Sequence, residues 1–265
     1  FIKTFDDQPS LHLVFKSPEH LDNLKESKIK TSTNSAFIET KQKIPSIHNF
    51  KKGEWWVQDF SSMLPLAISN KIENLNILDM CAAPGGKAFQ ILSKNNVILN
   101  DINLKRISRL KKNLNRLKFN PEIKNVHALN LDENYKFDMV ILDAPCSSIG
   151  TIRKHPEIFF KSSGPDMVSL VELQKNLLQK ASQLINNKGK IVYMVCSFFY
   201  SETIEIIQNF LKKNKSFTIE KYTPNKEFSN IKHLISEEGY FLTIPTSYKN
   251  FNIDGFFSVQ LIKND

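Results

Sequence analysis

The sequence is poor in cysteine, and the cysteine it has is scattered. Its three cysteines are Cys81, Cys146 and Cys196; so few and so far apart, they form no disulfide framework and fit a reducing cytosol. No C-x-x-C pair occurs, so no structural zinc, and no metal, is expected. No uninterrupted apolar run nears the roughly 18 residues of a membrane helix, and no charged-then-apolar start marks a signal peptide. A cytoplasmic location without membrane or obligate protein partner is the expectation. Repeats are absent, and low complexity is limited to a Lys/Asn bias. The chain starts at Phe1 rather than Met, so a piece of a longer protein is expected. Acidic residues are in the minority: 27 Asp and Glu against 36 Lys and Arg give a net charge of +9 in 265 residues. That balance favours a polyanionic partner such as nucleic acid, although an AT-rich genome, which enriches Lys, Asn and Ile, produces the same excess.

This length fits one large domain, or one large and one small. Residues 1 to about 50 hold too little apolar sequence for a large core. Leu11–Phe15 and Ala36–Ile38 read as strands, and Pro18 opens a helix with Ser17 as N-cap; this is a small α+β subdomain. From Trp55 onward the pattern alternates. Helices are expected at Ser61–Ile72, Lys87–Ser93, Leu104–Leu117, Asp166–Asn187 and Ser201–Lys213. Strands are expected at Asn76–Met80, Val97–Asn100, Ile123–Leu129, Phe137–Leu142 and Ile191–Val195, with two more around Phe217 and over Gly255–Ile262. Leu104, Ile107, Leu110, Leu114 and Leu117 fall on one helical face. Alternation of this kind predicts an α/β, doubly wound, Rossmann-like sheet.

The chemistry-bearing residues follow the expected strands. Asp79-Met-Cys-Ala-Ala-Pro-Gly-Gly-Lys87 follows the first strand of the larger domain, where backbone amides and a helix start meet a ligand. Gly85 and Gly86 permit close backbone approach. A Walker A loop is excluded, since Cys81 stands where it needs Gly and Ala88 where it needs Ser or Thr. Asp101, at the end of the second strand, is placed to accept hydrogen bonds from a ribose. A strict G-x-G-x-x-G is absent, so an adenosyl cofactor without pyrophosphate, such as S-adenosylmethionine, fits better than a dinucleotide. Asp143-Ala-Pro-Cys146-Ser147 and Val195-Cys196-Ser197 end two further strands. One thiol there reads as a small buried residue; two on neighbouring strand ends point to nucleophilic chemistry.

These motifs, with Gly53–Ser62, Leu173-Gln174 and Asp254-Gly-Phe-Phe257, resemble the Sun/Fmu-type family of RNA cytosine-C5 methyltransferases. The resemblance implies a class I methyltransferase sheet, mostly parallel with an antiparallel last strand, over 51–265. It implies an RRM-like, RNA-contacting subdomain over 1–50, and an additional N-terminal RNA-binding domain outside this chain. Cys196 is the implied nucleophile and Cys146 its partner in product release, with Asp143 contacting base or cofactor. S-adenosylmethionine would be held by Cys81, Ala82, Ala83, Pro84, Gly85, Gly86, Lys87, Asp101, Arg106, His127, Ala128, Asp143 and Pro145. Burial of Asp143 would raise its pKa and let it protonate ring nitrogen 3. Arg153, Lys154 and His155 would hold phosphates, and Trp55 would stack on a base. The implied substrate is ribosomal RNA, with transfer RNA second. Three departures from the family pattern stand out. Val195 replaces a threonine, and His127 stands where an acid is usual, with Asp132 a potential substitute. The Glu-Asn pair expected after Cys-Ser is not evident in Phe198–Glu202.

Two competing readings remain at this stage. A DNA cytosine methyltransferase would use Cys146 as nucleophile, but Ser147 stands where that mechanism has Gln. A catalytically silent RNA-binding module would keep the fold without the chemistry. Lys105, Arg106, Arg109, Lys111, Lys112, Arg116 and Lys118 stud one helix, either as an RNA contact or as a solvated face.

Overall fold

Short β-branched runs alternating with amphipathic helices build two sheets that share one core. The structure is a computed structural model that describes residues 10–70, 72–160 and 164–265. In the N-terminal part, β1 (Leu11–Phe15), α1 (Pro18–Asp22), β2 (Lys28–Ser32), β3 (Ser35–Ile38) and β4 (Trp55–Val57) form an antiparallel sheet of order β2-β3-β1-β4. The unit therefore extends through Val57, past the boundary expected at residue 50. Ser17 does precede α1, but its hydroxyl meets His20 Nδ1 at 3.1 Å instead of capping the helix.

The larger part follows with α2 (Phe60–Ala67), β5 (Asn76–Asp79), α3 (Gly86–Phe89), β6 (Asn96–Asn100), α4 (Leu104–Leu117), β7 (Glu122–Lys124) and β8 (Phe137–Asp143). It continues with α5 (Met167–Leu184), β9 (Ile185–Val195), α6 (Ile204–Lys213), β10 (Phe217–Glu220), β11 (Phe241–Thr243), β12 (Thr246–Tyr248), β13 (Phe251–Ile253) and β14 (Phe256–Lys263). The main sheet runs β10-β14-β9-β8-β5-β6-β7, with β11 also on β14. β7, β6, β5, β8 and β9 are parallel, and β14 runs antiparallel to β9. The winding reverses between β5 and β8, and ligands of such sheets bind outside the strand ends at that reversal.

Side-chain alternation of period two sorts the strands into two layers. Ile77, Met139, Ile141, Val192 and Met194 pack with Phe60, Leu64, Leu110 and Leu114 on one face. Leu78, Val140, Leu142, Tyr193 and Val195 pack with Leu177, Leu184 and Phe210 on the other. Continuing the first series by two residues reaches Asp79, Asp143 and Cys196, so three reactive side chains emerge on one face of one rim.

Several expected elements are shorter. α2 ends at Ala67, and α3 is a single turn. β7 stops at Lys124 because side chains take over the backbone bonds: Asn100 exchanges bonds of 3.1 Å with both the N–H and the carbonyl of Val126, and Asn125 donates to the Asp101 and Ile102 carbonyls. In α4, Leu104 is 70% exposed and leaves the predicted stripe, while Ile107, Leu110, Leu114 and Leu117 stay buried.

Both faces of the N-terminal sheet are largely packed among the described residues, with Ile29 and Val57 left exposed. Leu13, Phe15, Ile38 and Trp55 pack under α1 with Leu21 and Leu24. On the opposite face, Phe37 stacks on Phe251 at 4.4 Å and His12 meets Phe60 edge-on at 5.4 Å. RNA-recognition modules stack bases on the free face of such a sheet; here that face packs against Phe60 and Phe251. The seam is closed at one end by Arg116, which donates to the Phe50 and Trp55 carbonyls at 3.0 and 2.9 Å. There Gly53 has a φ of +72°, and a Cβ on it would sit 1.8 Å from the Arg116 carbonyl oxygen. Gly53→Ala should therefore lower stability by about 3 kcal/mol, read as a reduced midpoint in chemical denaturation.

Candidate active site

The loop after β5 is shaped by one obligatory glycine. Gly85 has a φ of +112°, and a Cβ on it would lie 2.2 Å from the Phe89 ring. Gly86 differs: its nearest neighbour would be Gln58 at 3.6 Å, an ordinary contact. The loop separates two cavities. The first, of about 180 Å³, is lined by Gln58, Asp79, Cys81, Ala82, Pro84, Gly86, Lys87 and Asp143. The second, a slot of about 70 Å³, is lined by Cys81, Asp101, Ile102, Arg106, His127, Ala128, Pro145, Leu173 and Leu177. Nearly all residues expected to hold a cofactor thus line one of two adjoining spaces. Ala83 contributes backbone instead, its N–H donating to Asp101 Oδ2 at 3.2 Å and its carbonyl accepting from Arg106.

Charge is concentrated at the first cavity. Lys87 Nζ donates to Asp143 Oδ2 at 2.6 Å. Burial alone would lower the Lys87 pKa, but the Asp143 charge and hydrogen bond, with Cys196 and Asp79, raise it. Asp143 is 30% exposed and ion-paired with Lys87, so it is not the buried acid that the sequence suggested. That environment belongs to Asp79, which is 1% exposed. Burial, then repulsion from Asp143, raises its carboxyl to about 7, against the pull of Lys87. Its Oδ1 is buried with no hydrogen-bond partner, an acceptor left open toward a donor that the protein does not supply.

The two cysteines on neighbouring strand ends meet. Cys146 Sγ and Cys196 Sγ are 3.3 Å apart, both as free thiols. The hydrogen bond between them acts oppositely on each partner. It lowers the Cys196 pKa, with Ser148 and Lys87 adding to it against burial and Asp143. It raises that of Cys146, with burial and the Cys196 charge adding to it. The surroundings therefore favour ionisation of Cys196 over that of Cys146. Cys81 is pushed up by burial and by Asp79, which leaves it a lining residue.

Other expectations are corrected. Trp55 is fully buried, its Nε1 donating to the His48 carbonyl at 2.8 Å, so it cannot stack on a base. The Arg153 side chain is wholly buried and donates to Asp254 at 3.0 Å. Lys154 bridges Asp59 at 2.8 Å and Asp254 at 2.6 Å. These cations hold the fold and are not free for phosphates; only His155, 59% exposed beside Glu157, faces solvent. Val195 points into the opposite core layer from Cys196, so the missing threonine hydroxyl costs the thiol nothing. Asp132 is exposed and accepts from the Asn134 N–H; it is absent from the slot that His127 lines and does not replace it.

Glu202 was missed. It lies fully buried beyond the Cys196 loop, and the signal that could have found it was the acid of the Glu-Asn pair expected after Cys-Ser, for which Glu202, followed by Thr203, is the candidate. The Asp79 carboxyl carries a testable cost. Its folded pKa lies above the ordinary 3.8, so the folded state binds more protons and stability falls as pH rises from about 4 to 7. Asp79→Asn should raise the melting temperature of ligand-free protein at pH 8 and lose that advantage at pH 4.5, measured by calorimetry.

Known proteins agree with this architecture. The chain is 38% identical over 171 residues to ribosomal RNA small subunit methyltransferase B of Photorhabdus laumondii, covering 62% of this chain and 40% of that one. It is 30% identical over 236 residues to a probable ribosomal RNA small subunit methyltransferase B of Bacillus subtilis, covering 83% and 50%. It thus spans about half the length of the curated relatives it matches, or less. In fold it matches a methyltransferase homolog protein from Pyrococcus horikoshii with a TM-score of 0.72 at 20% identity, over 98% of this chain and 88% of that one. It also matches NSun6 from the same organism, crystallised with SFG, with a TM-score of 0.68 at 23% identity, over 84% and 57%. Residues 66–262 match the family described as 16S rRNA methyltransferase RsmB/F, a stretch that holds the cofactor loop and both strand-end cysteines, and the chain belongs to that family.

Proposed function

We propose that this protein is an S-adenosylmethionine-dependent RNA cytosine-C5 methyltransferase acting on ribosomal RNA. The observation that carries the reading is the pair of thiols 3.3 Å apart beside Asp143 and Lys87. Carbon 5 of cytosine is too weak a nucleophile to take a methyl group unaided. Addition of the Cys196 thiolate to carbon 6 forms an S–C bond and moves electron density to carbon 5. The bound cofactor supplies the electrophilic methyl group. After transfer, the proton on carbon 5 passes to solvent water, the electrons of that C–H bond re-form the carbon 5–carbon 6 double bond, and the Cys196 thiolate is expelled. Cys146, as hydrogen-bond donor, stabilises the leaving thiolate. Asp143, ion-paired with Lys87, accepts a hydrogen bond from the exocyclic amine of the base.

The cofactor fits the residues present. The open acceptor on Asp79 suits its α-ammonium group, and Asp101 at the slot suits the ribose hydroxyls. The slot, apolar at Ile102, Ala128, Pro145 and Leu177, suits adenine. His127 at its rim serves where relatives of the pattern use an acid. Ribosomal RNA as substrate rests on the printed names of the relatives.

RNA backbone is expected on α4. That helix carries Lys105, Arg106, Arg109, Lys111, Lys112 and Arg116 and no acid. Arg106 and Arg116 are engaged internally, whereas Lys105, Arg109 and Lys112 recur on one exposed face. α4 begins at the cofactor slot, next to Asp101.

Incubation with total RNA and S-adenosylmethionine tests the chemistry. On a denaturing gel, Cys146→Ala should trap a slow RNA–protein band that Cys196→Ala lacks, and Cys196→Ala should lose at least about a thousandfold in turnover. A band in Cys196→Ala alone would reverse the roles. For the surface, Lys105→Ala/Arg109→Ala/Lys112→Ala should lower the slope of log affinity against log salt by about 2, with cofactor affinity unchanged by isothermal titration.

A further inference from the structure

Beneath the two thiols lies a carboxylate that has no ion-pairing cation among the described residues. Glu202 is 0% exposed and accepts four hydrogen bonds. Oε1 takes the Ser147 N–H at 2.8 Å and Gln174 Nε2 at 3.0 Å. Oε2 takes the hydroxyls of Ser147 and Ser197, each at 2.5 Å. Both oxygens are thus fully used as acceptors, the pattern of an ionised carboxylate. Its own backbone is anchored by Tyr193, whose hydroxyl donates to the Glu202 carbonyl at 2.9 Å.

The partners are not arbitrary. Ser147 directly follows Cys146, and Ser197 directly follows Cys196. A single side chain therefore ties together the ends of β8 and β9 one residue beyond each thiol. We propose that Glu202 is a positioning residue that sets the division of labour between the cysteines, bracing both strand ends through Ser147 and Ser197 while its buried charge keeps the shared proton on Cys146. The inference rests on the reading of Cys196 as nucleophile.

The surrounding charges support the asymmetry. Cys146 faces Cys196, Glu202 and the phenol of Tyr193. Cys196 faces Cys146, Asp143, Ser148 and, on the cavity side, Lys87. The cation therefore lies toward Cys196, and the uncompensated anion toward Cys146. A negative charge beside a thiol disfavours its ionisation, so the proton stays on Cys146. Cys146 then donates to Cys196, which leaves Cys196 free to attack.

Thiol alkylation by iodoacetamide at pH 7, read per cysteine by mass spectrometry, tests this without any RNA. In the wild type, Cys196 should label fastest, with Cys81 protected. Glu202→Gln removes the charge at constant size and should lower the Cys196:Cys146 labelling ratio about tenfold, one pKa unit. Glu202→Asp keeps the charge and should retain the ratio. Continued protection of Cys81 reports that each variant is folded. If Glu202→Gln cannot fold, Ser197→Ala, which removes one bond to the carboxylate, should lower the ratio in the same direction. An unchanged ratio in folded Glu202→Gln overturns the proposal, as does faster labelling of Cys146 in the wild type. A tenfold fall in a protein that methylates no RNA would uphold the role of Glu202 while rejecting the methyltransferase reading.

Discussion

Two carboxylates and two cations, largely withdrawn from water, hold this molecule in register. Asp59 begins α2, Arg153 and Lys154 follow the Cys146 loop, and Asp254 precedes β14; they meet in one network. Their formal charges sum to zero, which is the condition for burying them at all. Burial, then the nearby Asp59, still raises Asp254 to about 6 against the pull of Lys154 and Arg153. Removing either cation would leave a buried anion short of its partner, a loss of about 3–5 kcal/mol. Around the network the backbone closes tightly: the Gly150 N–H donates to the Cys196 carbonyl at 3.0 Å, and the Gly255 N–H donates to the Gly150 carbonyl at 2.8 Å. A Cβ on Gly150 would lie 2.0 Å from the Gly255 oxygen, so no larger residue fits. The Cys196 loop is thus located by residues about 50 positions away on either side.

Much of the active rim was legible because it obeys two local rules. Apolar runs of period two put Asp79, Asp143 and Cys196 on a common face, and strand ends at a winding reversal are where parallel sheets bind ligands. The turn from Asp79 to Lys87 also carried its own signature, with Gly85 in a backbone conformation that a side chain would obstruct. What sequence could not supply was partner choice. Arg153 and Lys154 look like phosphate ligands until Asp59 and Asp254, about a hundred residues away, are seen to claim them. Trp55 looks like a stacking platform until β4 is seen to carry it inside the small sheet. Glu202 stands in a stretch where no Glu-Asn pair was evident, and the convergence of Ser147, Gln174 and Ser197 on it is what gives it meaning.

The elements that sequence misjudged share a cause. β7 and α3 are cut short where side-chain amides or a tight loop replace regular backbone bonding. The β12–β13 hairpin, unmarked by a long apolar run, exists because Phe251 and Tyr248 reach Phe37 and Phe60. In each case a tertiary contact decides the local conformation. The Val195 departure inverts that lesson: a change beside Cys196 in sequence lies on the far side of the sheet in space, in a layer where a hydroxyl would be the poorer fit.

The covered face of the small N-terminal sheet has a consequence for how the protein behaves as a material. Phe37, Phe60 and Phe251 come from three distant segments and form one aromatic layer. Splitting the chain there would expose aromatic surface on both pieces rather than separate two finished modules. The sheet is better regarded as an outer wall of the main-sheet core than as an appendage to it. Val57, Gln58 and Asp59 line the first cavity and continue directly from that wall, so the cavity and the small sheet share one stretch of backbone.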